Sequence, residues 1–448
     1  MPDLSIDFAG IKAPNPFWLA SGPPSNSGYQ VMKAFDMGWG GAVWKTMGIP
    51  VVNVSSRYGS INYGDNRMVG FNNIELITDR PLKDNLRDIE EVKKYFPHHA
   101  VIASIMVQSR AEWIQIVKDV ENAGCDGIEL NFGCPHGMCE RGMGSAVGQE
   151  PKILQTITEW VTEAATVPVI VKLTPNITDI REPARGAKAG GADAISLINT
   201  IQSIVGVDLD NLVPYPTVDG KSTNGGYCGP AVKPIALNML KECAQDPGVS
   251  IPISGIGGIE NWRDAAEHIL LGAGSVQVCT AVMHYGFGII REMIPGLEQY
   301  MLDKGFDSIS DMTGRALPNI HKWEHLNLNY QILAEIDRDK CIGCYLCYVA
   351  CDHGAHQAIQ LDTSNGTRIP HIIEENCVGC NLCSLVCPVE DCISMVRIDQ
   401  NLQSESWKER TDSGAVPTSL DDPLAGGAGH YVPEPKEGLL TKDSDGKH

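Results

Sequence analysis

The chain is short of positive charge: 35 Lys and Arg stand against 55 Asp and Glu, a formal net charge of −20. Nucleic acids and anionic membranes are held by basic patches, so neither is an expected partner, and a small molecule or a protein is. No apolar run approaches the length that crosses a bilayer, and the amino terminus, MPDLSIDFAGIKAPNPFWLASG, has no basic segment ahead of an apolar stretch. A cytoplasmic location is expected. No G-x-G-x-x-G follows a strand signal, and GIGGIE (255–260) is not that fingerprint, so no nicotinamide dinucleotide site is expected in this chain.

What is abundant is cysteine, fifteen in all, and eight of them fall in two runs of one spacing: Cys341, Cys344, Cys347, Cys351 and Cys377, Cys380, Cys383, Cys387, the second closed by Pro388. In a CxxCxxCxxxC run three thiolates wrap one face of a cubane cluster, and the fourth is carried across to the other cluster. Two 4Fe-4S clusters are therefore expected, one on Cys341, Cys344, Cys347 and Cys387, the other on Cys377, Cys380, Cys383 and Cys351. Paired CxxC units also bind zinc, but zinc sites rarely add a third cysteine at the next step and a fourth before proline. Such clusters belong with reduced thiols, and they move electrons one at a time. Cys125, Cys228, Cys243, Cys279 and Cys392 read as packing residues.

With 448 residues the chain has room for two or three domains. Apolar runs recur at 16–21, 41–46, 100–106, 127–132, 168–173, 194–199, 250–254 and 276–279, nearly continuous rather than alternating, as in a parallel sheet covered on both faces. Helix patterns lie between them, as at 111–123, 152–164 and 262–271. Eight β/α units point to an α/β fold of the (β/α)8 TIM-barrel type, with an open doubly wound sheet as the alternative. The division expected is a barrel at 1–301, a connecting segment at 302–333, a ferredoxin-like two-cluster domain at 334–399 and a polar tail at 400–448, extended or disordered.

A barrel does its chemistry where the strands end at their carboxyl side. The residues there are Ala20, Ser21 and Gly22 after the first run, Lys45 and Thr46 after the second, and Asn131, Gly133, Cys134 and His136 after the fourth. Lys172 and Asn176 follow the fifth, Asn199 and Thr200 the sixth, and the last two give Gly255, Gly257 and Gly258, then Cys279, Thr280 and Ala281. Small residues after strands seven and eight let backbone N–H groups approach a phosphate. FMN would satisfy both ends, its phosphate at those turns and its ring over the lysines and asparagines. A glycine cluster by itself makes only a tight turn, but clusters that deliver single electrons need a one-to-two-electron converter, which a flavin is.

The runs FNNIELIT (71–78), LNFGCPHGMCERGMG (130–144), VKLTPNITDI (171–180) and GPAVKPIAL (229–237), taken with the double cluster motif, resemble the dihydropyrimidine dehydrogenases over roughly residues 3–398. In form the chain resembles the flavin and iron-sulfur subunit of the two-subunit, NAD-dependent bacterial type. Its barrel is similar to dihydroorotate dehydrogenases, which share the NxxCP turn seen at 131–135. The resemblance implies reduction of the 5,6 double bond of uracil or thymine in pyrimidine catabolism, with Cys134 as the general acid at C5. It implies that Asn73, Asn131, Asn199 and Thr200 bind the pyrimidine beside His136, and that Lys45, Lys172 and Gly229 belong to the flavin site. It also implies an NADH-oxidising FAD and iron-sulfur partner subunit in a hetero-oligomer, a heterotetramer being one arrangement.

Elementary chemistry agrees. Carboxamides offer both donor and acceptor to a flat amide ring, a thiol titrates nearer neutrality than a hydroxyl, and a lysine stabilises reduced flavin. Two departures stand out: Gly133 occupies a position where the single-chain forms place a serine, and Cys139 on the glycine-rich loop 137–144 is a rival thiol. Other readings are a dihydroorotate dehydrogenase-type enzyme, a flavin and iron-sulfur electron-transfer module without pyrimidine chemistry, and an aldolase-like Schiff base at Lys172. Against the first, no arginine stands at these strand ends to hold orotate's carboxylate.

Overall fold

A computed structural model of the chain describes residues 1–135, 142–354, 356–362, 369–398 and 401–414. The chain divides into two compact units, Met1–Asn319 and Ile320–His448. Among the described residues no helix is long and apolar enough to cross a membrane.

Eight parallel strands close the first unit into a barrel in chain order: β1 (Phe17–Leu19), β2 (Gly41–Val43), β3 (Ala100–Ile105), β4 (Gly127–Asn131), β5 (Val169–Lys172), β6 (Ala194–Leu197), β7 (Ile253–Ile256) and β8 (Ala273–Val278). Every expected apolar run supplies one strand, and closure between β8 and β1 excludes the open sheet. The seventh strand begins later than its run because Pro252 has no N–H to give the ladder; its carbonyl accepts from Ile195 N at 3.0 Å instead. Helices alternate with the strands, and their starts are local. Ser109 and Glu112 form a capping box for Arg110–Asn122, as Asn261 and Asp264 do for Trp262–Leu270.

The main core lies between strands and helices, and a second cluster closes the bottom of the barrel. There the hairpin Ile6–Phe8 with Ile11–Ala13 sets Phe8 edge-on to Trp18, ring centroids 5.5 Å apart. Each such fully buried side chain contributes about 1.5–3 kcal/mol, so plugging one end stiffens the frame that holds the other.

The chain after β2 and after β6 builds a feature the apolar pattern does not announce. Ile201–Ser203, Gly225–Cys228, Asn66–Asn73 and Tyr58–Tyr63 form a four-stranded antiparallel sheet, with Gly226 opposite Asn73 and Asn73 opposite Tyr58. Its strands are polar and glycine-rich because one purpose of the sheet is to wall a cavity rather than fill a core.

In the second unit Ile332–Ile336 pairs antiparallel with Ile393–Arg397, and Ile359–Asp362 with Ile369–Ile372. The helices Leu346–Gly354 and Leu382–Leu385 carry Cys347, Cys351 and Cys383. Part of the expected polar tail is folded: Trp407–Asp412 is a helix capped by Ser406 and Glu409. Trp407 lies 6.2 Å from Trp323, ring to ring, and Leu328 N donates to Glu405 O at 2.8 Å. A capping box and a tryptophan pair are enough to order this short stretch, while 415–448 lie outside the described residues.

Candidate functional site

A cavity opens at the carboxyl ends of the barrel strands, walled by the four-stranded sheet. Ala20, Ser21, Lys45, Thr46, Asn73, Asn131, Cys134, Lys172, Asn199, Thr200, Gly229, Gly257, Gly258, Thr280 and Ala281 all line it. These residues lie far apart in the chain, and the barrel brings them to one face. His136 and Cys139 fall outside the described residues.

The amides are wired to one another. Ser21 Oγ meets Thr46 Oγ1 at 3.1 Å, and Asn131 Nδ2 donates to Thr46 Oγ1 at 2.9 Å. Asn199 Nδ2 donates to Asn131 Oδ1 at 2.9 Å, and Thr200 N to Asn199 Oδ1 at 2.8 Å. Each carboxamide is thereby fixed in one orientation, with its second N–H or lone pair left for a guest. Asn73 joins from the sheet, donating through Nδ2 to Gly226 O at 3.2 Å, which leaves its Oδ1 as acceptor.

Gly133 is required by this arrangement. A Cβ there would collide with Cβ and Nδ2 of Asn199, so the position that carries serine in the single-chain forms has no room for one here. Cys134 follows at the cavity wall, its carbonyl accepting from Ser145 N at 3.0 Å. Asn176 does not line the cavity; its Nδ2 donates to Thr200 O at 3.1 Å and braces the loop after β6.

Two buried lysines enter the cavity, each facing a carboxylate, and the first carboxylate, Glu75, is shared with Arg57 Nε at 3.5 Å. Lys45 Nζ is 2.7 Å from Glu75 Oε1, and Tyr58 OH donates to Glu75 Oε2 at 2.7 Å. Burial, helped by that hydrogen bond, pushes the Tyr58 phenol up to about 12. Lys172 Nζ is 3.7 Å from Glu129 Oε1, too far for a hydrogen bond. Glu129, Gln277, Glu75 and Tyr58 are residues the sequence reading missed. Glu129 and Gln277 sit inside strands read only as apolar, and Glu75 lies within FNNIELIT, so a polar residue breaking an otherwise apolar run was the available signal.

At the other end the turn after β7 has Gly257 at φ +130° and Gly258 at φ +72°. A Cβ on Gly258 would meet Lys233 Cβ at 2.6 Å, and one on Gly257 would meet Ala236 Cβ at 2.7 Å. Bare backbone against the start of helix Lys233–Ala244 suits a phosphate. Gly255 is a correction: it does not line the cavity but lies in β7, where a Cβ would meet His268 Cδ2 at 2.9 Å, so its smallness serves helix-to-sheet packing. Cys228 and Cys279, expected only to pack, do line the cavity. Burial pushes their thiols up to about 11 and about 12, so both stay protonated. The lining that runs from the amides to the glycine cradle and the unpartnered Gln277 Oε1 fit a flavin nucleotide better than a small substrate alone.

In the second unit the eight motif cysteines line two voids. Cys341, Cys344, Cys347 and Cys387 line one; Cys351, Cys377, Cys380 and Cys383 line another. The fourth cysteine of each run thus faces the other run's void. Among the described residues no three His, Cys, Asp or Glu converge on the space of a single ion.

Residues 3–301 match the dihydroorotate dehydrogenase family and 334–395 match the 4Fe-4S dicluster domain. The chain is 46% identical to the NAD-dependent dihydropyrimidine dehydrogenase subunit PreA of Escherichia coli (strain K12), over 88% of this chain and 95% of that one. It is 45% identical to the chloroplastic dihydropyrimidine dehydrogenase (NADP(+)) of Arabidopsis thaliana, over 70% and 77% of the two chains. It is 34% identical to the catalytic subunit of dihydroorotate dehydrogenase B (NAD(+)) of Thermoplasma acidophilum, over 71% of this chain and 100% of that one.

Proposed function

This chain belongs to the dihydroorotate dehydrogenase family and, by its nearly full-length relatives, to the dihydropyrimidine dehydrogenases, and from that membership we propose that it reduces the 5,6 double bond of uracil or thymine. The observation that carries the reading is the pairing of charges in the cavity. Lys45 is matched by Glu75 and Lys172 by Glu129, and among the described lining residues there is no arginine. A neutral ring read by amides fits such a wall; a carboxylate such as orotate's would find no arginine fork to hold it.

The chain's own residues divide the work. Asn73, Asn131, Asn199 and Thr200 orient the pyrimidine by its amide edges, and His136 is assigned to the same substrate by the family resemblance. Cys134 holds the proton that goes to C5 of the ring. FMN, when bound, supplies the hydride for C6; Ala20, Ser21, Lys45, Thr46 and Lys172 hold its ring, and Gly229, Gly257, Gly258, Thr280 and Ala281 its phosphate end. Two 4Fe-4S clusters, one on Cys341, Cys344, Cys347 and Cys387 and one on Cys351, Cys377, Cys380 and Cys383, bring electrons singly. The partner is an NADH-oxidising FAD and iron-sulfur subunit, the assembly a hetero-oligomer, and the place the cytoplasm.

The test is anaerobic. The purified chain is reduced with a small artificial reductant and its flavin absorbance followed on addition of uracil, thymine or orotate. Reoxidation by uracil and thymine is expected. Reoxidation by orotate alone makes it a dihydroorotate dehydrogenase-type enzyme, and by none of the three an electron-transfer module.

A further inference from the structure

The thiols around the two voids of the second unit are unequal in number. The void of Cys341, Cys344, Cys347 and Cys387 is lined by a fifth cysteine, Cys392, whereas the described lining of the other void holds its four alone. A cubane takes four thiolates, so one thiol beside the first void is in excess.

The position of Cys392 is fixed from two sides. A turn in which Cys392 N donates to Val389 O at 3.3 Å folds the chain back after Pro388, returning Cys392 to the neighbourhood of Cys387. Asp337 N donates to Cys392 O at 2.8 Å, and Asp337 O accepts from Cys341 N at 3.0 Å, which ties the same residue to the start of the first run. The side chain is 2% exposed. Its thiol lies 3.7 Å from Asp337 O, and Cys387 and Cys341 pack against its hydrophobic cluster and line the same void. A thiol held against two ligands of one metal cluster has a further use.

We propose that Cys392 is a reserve ligand of the first cluster, taking the iron that Cys387 otherwise holds. The inference rests on the two-cluster reading above. Substitution at iron is redox-neutral: Cys392 releases its proton to solvent as its sulfur binds iron, and no electron changes place. Where Cys387 is present, its thiolate leaves and takes up a proton. The second void is lined by His356 but by no fifth thiol among the described residues, so damage at Cys351 and damage at Cys387 have different consequences.

The experiment compares full-length chains reconstituted anaerobically, measuring iron and acid-labile sulfide per chain and the spin count of the reduced clusters. Wild type and Cys392→Ala are expected to hold two clusters. Cys387→Ala also keeps two, Cys351→Ala keeps one, and Cys387→Ala with Cys392→Ala keeps one. Loss of a cluster in Cys387→Ala alone, from a wild type that holds two, overturns the reserve role. A wild type that never holds two overturns the two-cluster reading first. Should Cys387→Ala not fold, Cys387→Ser decides by vibrational spectroscopy: four cysteinyl iron-sulfur bonds at the first cluster support Cys392, and an iron-oxygen bond there overturns it.

Discussion

Lys172 Nζ lies 3.7 Å from Glu129 Oε1, a gap that pairs their charges without joining them by a hydrogen bond. Glu129 has no exposed surface. Its Oε2 is held from below, by Ser196 Oγ at 2.9 Å and Gln277 Nε2 at 3.3 Å, while Oε1 has no hydrogen-bond partner. The carboxylate is therefore anchored by one oxygen and turns the other toward the lysine, which keeps its N–H donors for whatever occupies the cavity. Lys45 differs, being hydrogen-bonded to Glu75 at 2.7 Å.

A reduced flavin carries added negative charge, which Lys172 favours and Glu129 opposes. Glu129→Gln keeps the shape and removes the opposing charge, so the ratio of reduced to oxidised flavin at fixed potential is expected to rise about tenfold, about 30 mV for a two-electron couple. Ser196→Ala leaves the charge and removes a donor that disperses it, so its shift runs the other way. Redox titration of the bound flavin measures both. Unchanged potentials in folded, flavin-loaded variants would show that Glu129 is only structural.

Gly133 supplies the second prediction. Any side chain there displaces Asn199 and breaks its hydrogen bond to Asn131, since Cβ would occupy the space of the Asn199 amide. Gly133→Ser is expected to lower kcat/KM for uracil by about ten- to a hundredfold, the scale of an ångström-sized misplacement, with flavin and iron content unchanged. Steady-state kinetics with an artificial reductant check it. Undiminished kcat/KM would mean that Asn199 has another seat available, as the serine-bearing forms must provide.

His268 is fully buried behind β7, its Nδ1 2.8 Å from Asp264 O, with Asp264, Glu267 and Lys233 as the charged groups around it. Burial lowers it from 6.5 to about 4. Folded His268 is thus neutral where the unfolded residue already binds a proton. Its contribution is complete above pH 6.5 and is lost as pH falls toward 4, at up to roughly 1.4 kcal/mol per pH unit. Denaturant midpoints measured across that window should fall less steeply for His268→Gln than for wild type. Parallel slopes would assign the acid sensitivity elsewhere.

The barrel was legible because its strands are buried on both faces and so read as unbroken apolar runs. The swapped cysteine voids were legible because CxxCxxCxxxC spacing is itself geometry. The four-stranded wall was not, since Gly225 and Gly226 are chosen for closeness: Cβ atoms there would strike Asn72 and Thr200, a constraint invisible without the partner strands. Glu129 and Gln277 were hidden for the opposite reason, being polar residues inside strands that read as buried runs, GIELN and AGSVQV, rather than at the strand ends where the site was sought. Cys392 read as packing because its relation to Cys387 and Cys341 depends on a turn and on Asp337, neither of which belongs to the motif.

Three described cysteines reach the large cavity, and their surroundings separate them. Cys228 accepts a hydrogen bond from Thr280 Oγ1 at 3.3 Å and Cys279 is packed beside Gly22, both driven up by burial to about 11 and about 12, poor values for giving a proton near neutrality. Cys134 stands instead at the end of the amide chain, directly after Gly133 and within the NxxCP turn. Cys134→Ala is expected to slow reoxidation of the reduced chain by uracil by about two orders of magnitude or more, with flavin and clusters retained. Cys228→Ala and Cys279→Ala should stay within about threefold of wild type, since neither thiol is positioned as the acid. Rapid-mixing absorbance at the flavin band distinguishes the three. A Cys134→Ala chain that is reoxidised at the wild-type rate would remove the thiol from the mechanism and require another proton source on the same wall.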